Sequence, residues 1–189
     1  TGDWVDSSPA VVGGRVYVGS GDNKLYCLDA LTGALIWNYT ADSAVRSSPA
    51  VADGKVYIGL MSDRKVCCLD ALTGALIWNY TTGDAVYSSP AVVGGRVYVG
   101  SVDNKTYCLD ALTGAHIWNY TTGGNVFSSP AVADGKVYIG SSSKVYCLNA
   151  LSGAFIWSYT TGGSVSSSPA VADGVVFVGS CDGKVYALG

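Results

Sequence analysis

Residues 68–81 read Cys-Leu-Asp-Ala-Leu-Thr-Gly-Ala-Leu-Ile-Trp-Asn-Tyr-Thr, and near copies of this stretch return along the chain. The copies place their tryptophans at Trp37, Trp78, Trp118 and Trp157. A second segment, Ser-Ser-Pro-Ala-Val, has its prolines at Pro9, Pro49, Pro90, Pro130 and Pro169. Successive prolines are therefore 39 to 41 residues apart. A period of this length indicates a repeat architecture in which each unit is one supersecondary element.

Each unit contains the pattern of four short strands. In the second unit we predict strand A at Ser47–Ala52, strand B at Val56–Gly59, strand C at Lys65–Leu69 and strand D at Ala75–Thr81. Asp53-Gly54 between strands A and B favours a tight hairpin, because a type I′ turn requires positive φ at both central residues. Asp70, Thr73 and Gly74 suit the turn between C and D, since short side-chain oxygens bond nearby amides and glycine accepts positive φ.

Four antiparallel strands in about 40 residues form the blade of a β-propeller. We therefore predict an all-β propeller, with repeat units at about 5–45, 46–86, 87–126, 127–165 and 166–189. Strands A, B and C recur five times but strand D only four times, so five blades are expected, the last without its outer strand. We expect these blades to close into a ring; the alternative is an open arc. An unpaired edge at 184–188 could associate with another chain.

The block that ends in tryptophan resembles a known motif. Repeats of the pyrroloquinoline-quinone (PQQ) enzyme family carry Ala-x-Asp-x-x-Thr-Gly-x-x-x-Trp, and residues 27–37 match it except for Cys27 at the first position. The copies that begin at Cys68 and Cys108 match equally well, and the copy at Cys147 differs further at Asn149 and Ser152. The resemblance covers essentially the whole chain and implies a PQQ-like β-propeller.

The resemblance implies two different roles. Quinoprotein dehydrogenases of this family are several times longer, bind PQQ with calcium at the axis and often carry a vicinal disulfide beside the cofactor. Outer-membrane assembly lipoproteins with similar repeats only bind partners. Fold-level likeness does not choose between such roles. The resemblance also favours an extracytoplasmic or cell-surface location, and the N-terminus has no signal-peptide pattern.

The composition excludes several classes of function. The 11 basic residues are spread along the chain and the net charge is −3, whereas nucleic-acid binding requires clustered Lys and Arg. No apolar run is long enough to span a membrane. Hydrophobic residues make up 49% and charged residues 13% of the chain, which favours sheets that are covered on both faces.

The residues capable of chemistry have structural interpretations. Cys67 and Cys68 are neighbours on one strand and should point to opposite faces, which disfavours a disulfide between them. Cys181 lies in a predicted turn, where its thiol should be accessible to solvent. His116 is the only histidine, and the repeat places no nucleophile or carboxylate pair beside it. We therefore predict no catalytic residue, no metal site and no cofactor.

The repeats differ mainly in the D–A connections and the B–C loops. In an up-and-down blade these two loop classes emerge on one face, which we predict to be the binding surface. The candidate residues are Trp4, Asp6, Arg46, Tyr87, Phe127, Ser166, Met61 and Arg64. The predicted function is a non-enzymatic scaffold that presents this face to a protein or a glycan. The alternatives are unconstrained drift of the loops, a relative or fragment of a PQQ-dependent dehydrogenase, and a repetitive or engineered array with no evolved ligand.

Overall fold

The computed structural model describes residues 1–189, which form nineteen strands. Blade 1 contains β1 (Ala10–Val12), β2 (Arg15–Gly19), β3 (Lys24–Asp29) and β4 (Leu35–Thr40). Blade 2 contains β5 (Ala50–Ala52), β6 (Lys55–Gly59), β7 (Lys65–Asp70) and β8 (Leu76–Thr81). Blade 3 contains β9 (Ala91–Val93), β10 (Arg96–Gly100), β11 (Lys105–Asp110) and β12 (His116–Thr121). Blade 4 contains β13 (Ala131–Ala133), β14 (Lys136–Ser141), β15 (Lys144–Asn149) and β16 (Phe155–Thr160). Blade 5 contains β17 (Ala170–Ala172), β18 (Val175–Ser180) and β19 (Lys184–Leu188).

The strands of each blade are antiparallel and follow one another in chain order. Four sheets have four strands and the last sheet has three. The prediction of an all-β propeller with five blades, the last without its outer strand, is therefore confirmed. The chain contains no helix that could cross a membrane.

Strand A is shorter than the sequence predicted, because its first residues bond elsewhere. In blade 2 the strand begins at Ala50 rather than Ser47. The Ser47 hydroxyl oxygen instead accepts a hydrogen bond from the Gly59 amide at 2.8 Å. The Ser48 amide donates to the hydroxyl of Ser89 in the next blade, also at 2.8 Å. The proline that follows has no N–H to contribute to a ladder.

The turns at the opposite end of each blade have the predicted chemistry. Asp53 and Gly54 have φ values of 49° and 70°, as the A–B hairpin requires. The Asp70 carboxylate accepts hydrogen bonds from the Thr73 amide at 2.8 Å and the Thr73 hydroxyl at 2.9 Å. The two turns are joined by a hydrogen bond of 2.9 Å from the Ala71 amide to the Gly54 carbonyl. Both turn classes therefore lie on one face of the array.

The hydrophobic core is distributed over the junctions between consecutive blades. Each buried cluster contains residues from two neighbouring blades; the first joins Tyr17, Leu25 and Cys27 of blade 1 to Val56, Ile58 and Leu69 of blade 2. Equivalent clusters join blade 2 to 3, 3 to 4 and 4 to 5. Because burial of apolar surface is the main stabilising term in folding, each blade depends on its neighbours for stability.

The repeated tryptophan stacks one blade on the next. The Trp118 indole N–H donates to the Ala150 carbonyl at 3.1 Å, and the Tyr98 hydroxyl donates to the same oxygen at 3.1 Å. The turn that holds Ala150 also holds Gly153, where a Cβ would lie 2.6 Å from the Trp118 ring. The same hydrogen bond and the same glycine contact occur at Trp37 and Trp78, so three of the four junctions have the same geometry.

The expectation that five blades close into a ring is wrong in this structure. No buried cluster joins blade 5 to blade 1, and the series of serine hydrogen bonds that links successive A strands ends at Ser168. Phe177 and Val185 of blade 5 are 40% and 78% exposed, whereas the equivalent Tyr57 and Val66 of blade 2 are 1% and 0% exposed. Because blade 5 has no strand D, it also has no tryptophan to dock on blade 1. The blades form an open arc.

We expect Trp118→Phe to lower the free energy of unfolding more than Trp157→Phe. Both substitutions shrink an aromatic side chain at the same place in a blade, but Trp157 donates no hydrogen bond, so only the first removes the bond to Ala150. A lost hydrogen bond of this kind costs about 1 kcal/mol. Trp118 is also more deeply buried than Trp157, because a C–D turn covers its ring. Denaturant unfolding of both variants measures the difference, and equal losses would show that neither the bond nor the covering turn contributes to stability.

Acid stability offers a second test of the C–D turns. Hydrogen bonds from Thr113 and Thr73, first from the hydroxyl and then from the amide, hold the pKa values of Asp110 and Asp70 below their usual value. The pKa of Asp29 is lowered by Thr32, first through its amide and then through its hydroxyl. A carboxyl with a depressed folded-state pKa stabilises the fold above its unfolded pKa of about 4. That contribution is lost as the pH falls through the folded-state value.

Replacement of all three aspartates by Asn should therefore reduce the loss of stability below about pH 4. Stability at neutral pH should change little, because Asn149 already makes the same bonds to Leu151 and Ser152 in blade 4. Thermal unfolding at several pH values compares the triple variant with the parent chain. If the stability of the two proteins falls in parallel with pH, the three aspartates do not contribute to the acid sensitivity.

Candidate functional site

The variable segments share one surface, which we call the loop face. It consists of the D–A connections at 1–9, 41–49, 82–90, 122–130 and 161–169 and the B–C loops at 20–23, 60–64, 101–104, 142–143 and 181–183. Backbone hydrogen bonds join the two classes: the Val45 amide donates to the Ser20 carbonyl at 3.1 Å and the Val126 amide to the Ser101 carbonyl at 3.1 Å. The two loop classes therefore occupy one end of every blade, opposite the A–B and C–D turns.

Residues at the equivalent position before strand A lie next to each other on this face. Arg46 Nε is 3.7 Å from Asp6 Oδ2, so blades 1 and 2 are linked by an exposed ion pair. The rings of Tyr87 and Phe127 have centroids 5.6 Å apart and are tilted by 59°, which links blades 3 and 4. Such exposed pairs add little to stability, and they leave charged and aromatic groups facing solvent.

A polar cavity of about 330 Å³ lies between blades 4 and 5 on the loop face. Its lining consists of Gly124, Asn125, Phe127, Ser142, Ser164, Val165 and Ser166. The structure thus brings two of the predicted residues, Phe127 and Ser166, to one cavity. Asn125 and Ser142 are not among the residues predicted from the sequence, although both lie in the segments that vary between repeats.

The other predicted residues lie at separate places on the loop face. Trp4 is 71% exposed, and its carbonyl accepts a hydrogen bond of 2.8 Å from the Gly21 amide. The Arg64 side chain is exposed, and its backbone has a φ of 56°. The Arg64 carbonyl accepts a hydrogen bond from the Thr82 amide at 2.7 Å, and Met61 in the same loop is half-buried. No bond or ring contact joins Trp4, Met61 or Arg64 to the paired side chains.

An aspartate and a tyrosine fix the B–C loop in three of the blades. In blade 5 the Tyr186 hydroxyl donates to the Asp182 carboxylate at 2.6 Å, and the same oxygen accepts from the Gly162 amide at 2.9 Å. The bond from Tyr186 is the main reason why the pKa of Asp182 is lowered and that of Tyr186 is raised. These hydrogen bonds join the B–C loop to strand C and to the neighbouring D–A connection, so the groups are structural.

Blade 2 lacks this arrangement. Cys67 occupies the tyrosine position, and Asp63 Oδ2 is buried without a hydrogen-bond partner. At three junctions the ring at the Cys67 position packs against the strand-D tyrosine of the preceding blade, with centroids 5.6 to 5.9 Å apart. Tyr39 has no such ring beside it. The loop of blade 2 therefore holds one of the two buried polar atoms on the loop face that have no hydrogen-bond partner, and Ser43 Oγ is the other.

The cysteines and the histidine form no reactive site. Cys67 and Cys68 are free and buried in two different junction clusters, which confirms that they point to opposite faces. Burial raises the pKa of Cys67 to about 12 and that of Cys68 to about 11, so both thiols are protonated at neutral pH. Cys181 is exposed, as predicted. His116 is exposed on strand D, where its Nε2 is 2.9 Å from the amide nitrogen of Asn119.

The residues present do not fit a PQQ and calcium site. No three His, Cys, Asp or Glu side chains are grouped so that they could hold a metal ion. Calcium requires several oxygen ligands, commonly from carboxylates. The segments that lead into the inner strands read Ser-Ser-Pro, and the cavity on the loop face is lined by Gly, Ser, Asn, Val and Phe without a carboxylate. The two adjacent cysteines are buried in the junctions and lie away from any cavity.

The repeat, the blade topology and the docked tryptophans define a β-propeller of the PQQ-like repeat class. The family described as the β-alanine-activating enzyme β-propeller matches residues 1–189, and the chain belongs to this family. No curated protein matches the sequence significantly.

Solved structures confirm the fold. BamB from Moraxella catarrhalis is 26% identical and superimposes with a TM-score of 0.85 over 98% of this chain and 58% of its own. The quinohemoprotein alcohol dehydrogenase ADHIIG from Pseudomonas putida HK5 is 23% identical, with a TM-score of 0.83 over 98% of this chain and 40% of its own. The computationally designed protein Ika8 is 18% identical, with a TM-score of 0.86 over 95% and 57%. The chain thus spans 58% or less of the length of these three relatives.

We expect Cys67→Tyr to raise the free energy of unfolding relative to Cys67→Phe. Both variants place a ring beside Tyr39, but only the tyrosine hydroxyl can donate to the unpartnered oxygen of Asp63. A hydrogen bond to a charged group contributes about 1.5 to 3 kcal/mol. Denaturant unfolding compares the two variants, and equal stabilities would contradict the role assigned to the tyrosine and aspartate pair.

Proposed function

We propose that this propeller is a non-enzymatic scaffold that binds a protein partner through its loop face. The observation that supports this most directly is the contiguity of Asp6 with Arg46 and of Tyr87 with Phe127. Four successive blades thereby present charged and aromatic side chains from one equivalent position. Tyr, Trp and Arg are the side chains that contribute most at protein interfaces.

The contrast between the two faces of the array supports the same proposal. The A–B and C–D turns are nearly identical in every blade, and their polar groups bond to one another. The loop face has the same backbone support in every blade, but the side chain just before Ser-Ser-Pro is different in each: Asp6, Arg46, Tyr87, Phe127 and Ser166. A rigid scaffold with one variable face is typical of proteins that bind through their loops.

The reactive side chains of the loop face favour binding rather than catalysis. The loop face has no histidine, its only free thiol is Cys181, and the aspartates of three B–C loops are bonded to tyrosines of their own blades. A catalytic site needs a nucleophile or base in contact with a second group that activates it. The exposed Arg46, Tyr87, Phe127 and Trp4 are suited to recognition instead. A glycan ligand would use the same aromatic side chains and is the second outcome that the experiment addresses.

The test is affinity measurement on an identified partner. Proteins captured by the intact chain are identified, and the affinity of the purified partner is measured by calorimetry for the parent, Arg46→Ala and Tyr87→Ala. If these residues are central to the interface, each substitution should weaken binding by about thirtyfold, which corresponds to about 2 kcal/mol. Isolated oligosaccharides are tested in the same way.

Leu31→Ala is the matched control. Leu31 is 96% exposed but lies in a C–D turn on the opposite face, so its loss should leave the affinity unchanged. Weaker binding by Leu31→Ala with unchanged binding by the two loop variants would place the interface on the wrong face and overturn the proposal. Addition of PQQ with calcium should give no absorbance change and no thermal shift; a saturable change would favour a cofactor-dependent role.

A further inference from the structure

The B–C loop of blade 4 is the shortest of the five. Only Ser142 and Ser143 join β14 to β15, whereas at least three residues join the equivalent strands of the other blades. Ser142 has a φ of 49° at the first central position of this hairpin, where glycine is favoured. Apart from Arg64, the other residues with positive φ are Gly, Asn or Asp. Ser142 is therefore strained, and strain of this kind is common where a protein holds a ligand.

The short loop leaves a backbone acceptor unpaired. In blades 1, 3 and 5 the loop donates an amide to a carbonyl of the preceding D–A connection, as from Val102 to Ala85 at 2.9 Å. The equivalent carbonyl before blade 4 is that of Asn125, and it accepts no hydrogen bond within the chain. The deletion of one loop residue has thus freed this carbonyl at the cavity on the loop face.

The polar side chains around this carbonyl are also free. The hydroxyls of Ser142, Ser164 and Ser166 and the side-chain amide of Asn125 line the cavity and are exposed. None of them makes a hydrogen bond within the chain. Hydroxyl and amide groups both donate and accept, and no charged side chain lies among the lining residues. The cavity therefore presents a neutral set of donors and acceptors.

Small residues open the cavity beside an aromatic ring. Ser166 occupies the position at which Tyr87 and Phe127 pair their rings, so Phe127 has a ring on one side and the cavity on the other. The Phe127 side chain is 44% exposed there. Gly124 stands where the preceding connection has Asp84, and a Cβ at Gly124 would collide with the Ser142 hydroxyl. The space thus follows from local sequence differences.

The walls of the cavity are held in place by the chain itself. Blade 4 has no aspartate in its B–C loop, and the Tyr146 hydroxyl instead accepts directly from the Gly123 amide at 3.0 Å. The Ser142 carbonyl accepts from the Val165 amide at 2.6 Å. The Ser143 carbonyl accepts from the Thr161 hydroxyl at 3.0 Å. A ligand that enters such a preformed site does not have to order the loops.

We propose that this cavity binds an uncharged glycosyl residue. A sugar carries neighbouring hydroxyls that donate and accept, which suits the free serines and the Asn125 carbonyl, and a C–H face that packs on the Phe127 ring. The volume of about 330 Å³ suits a small ligand, since ligand sites range from about 300 to 1,000 Å³. The neutral lining disfavours phosphate, sulfate and amines. This binding goes beyond the proposed protein interface and does not depend on it.

The test is an NMR titration of the isotope-labelled chain 1–189. The neutral probes are the methyl glycosides of glucose, galactose and mannose, and N-acetylglucosamine; the charged probes are glucuronate, glucosamine and inorganic phosphate. At least one neutral sugar should bind saturably, with a Kd on the order of 1 mM, as expected for so small a ligand. The amide signals that shift should be those of the cavity, at 123–127, 142–143 and 164–166.

Matched variants make the titration specific. Ser166→Phe fills the cavity with the side chain that Phe127 has at the equivalent position, and should weaken sugar binding about tenfold or more. Replacement of 142–143 by Val-Asp-Asn, the sequence of 102–104, should do the same, because its valine amide can bond to the Asn125 carbonyl. Arg46→Ala, on the same face but outside the cavity, should bind sugar like the parent. Thermal unfolding checks that each variant is folded.

The proposal is overturned if none of the four neutral sugars binds saturably, or if Ser166→Phe binds sugar as tightly as the parent. Tighter binding of glucuronate, glucosamine or phosphate than of the neutral sugars also overturns it. If Ser166→Phe weakens binding of a protein partner but not of sugar, the cavity belongs to that interface. Loss of sugar binding in Ser166→Phe with normal binding in Arg46→Ala supports the proposal, whatever Arg46→Ala does to a protein partner.

Discussion

The structure depends on the contact between the tryptophan of one blade and the C–D turn of the next. The indole needs a flat surface and an acceptor, which Gly153 and the Ala150 carbonyl provide for Trp118. The C–D turn also needs a side-chain oxygen at its first residue to accept hydrogen bonds from its amides, and Asn149 or an aspartate provides it. Each blade therefore carries both halves of the contact, one for the preceding blade and one for the following blade.

This constraint explains why the two faces of the array differ in sequence. A C–D turn must satisfy its own hydrogen bonds and also fit against an indole, so few residues are acceptable at its central positions. The loops on the other face are held by backbone bonds, such as that from the Val126 amide to the Ser101 carbonyl, and by a few recurrent serine, threonine and aspartate side chains. The remaining side chains there are free to differ, and blade 2 has Cys67 where three other blades have the tyrosine that bonds to aspartate.

The same reasoning accounts for the ends of the arc. An array in which each unit contacts only its neighbours leaves one inner face uncovered at each end. Blade 5 exposes Phe177 and Val185 there, and blade 1 exposes Val11. These end faces are apolar, whereas the loop face carries the ion pair of Asp6 with Arg46.

The sequence by itself determined the blade: the spacing of Pro and Trp, the Asp-Gly turns and the Thr-Gly block act over a few residues and have local physical meanings. It also placed Asp6, Arg46, Tyr87 and Phe127 at one equivalent position. It did not determine the contacts between blades, because these depend on the angle at which neighbouring sheets pack. Only the tertiary structure decided that the five blades form an open arc, that Arg46 meets Asp6, and that Asp63 is left without a partner.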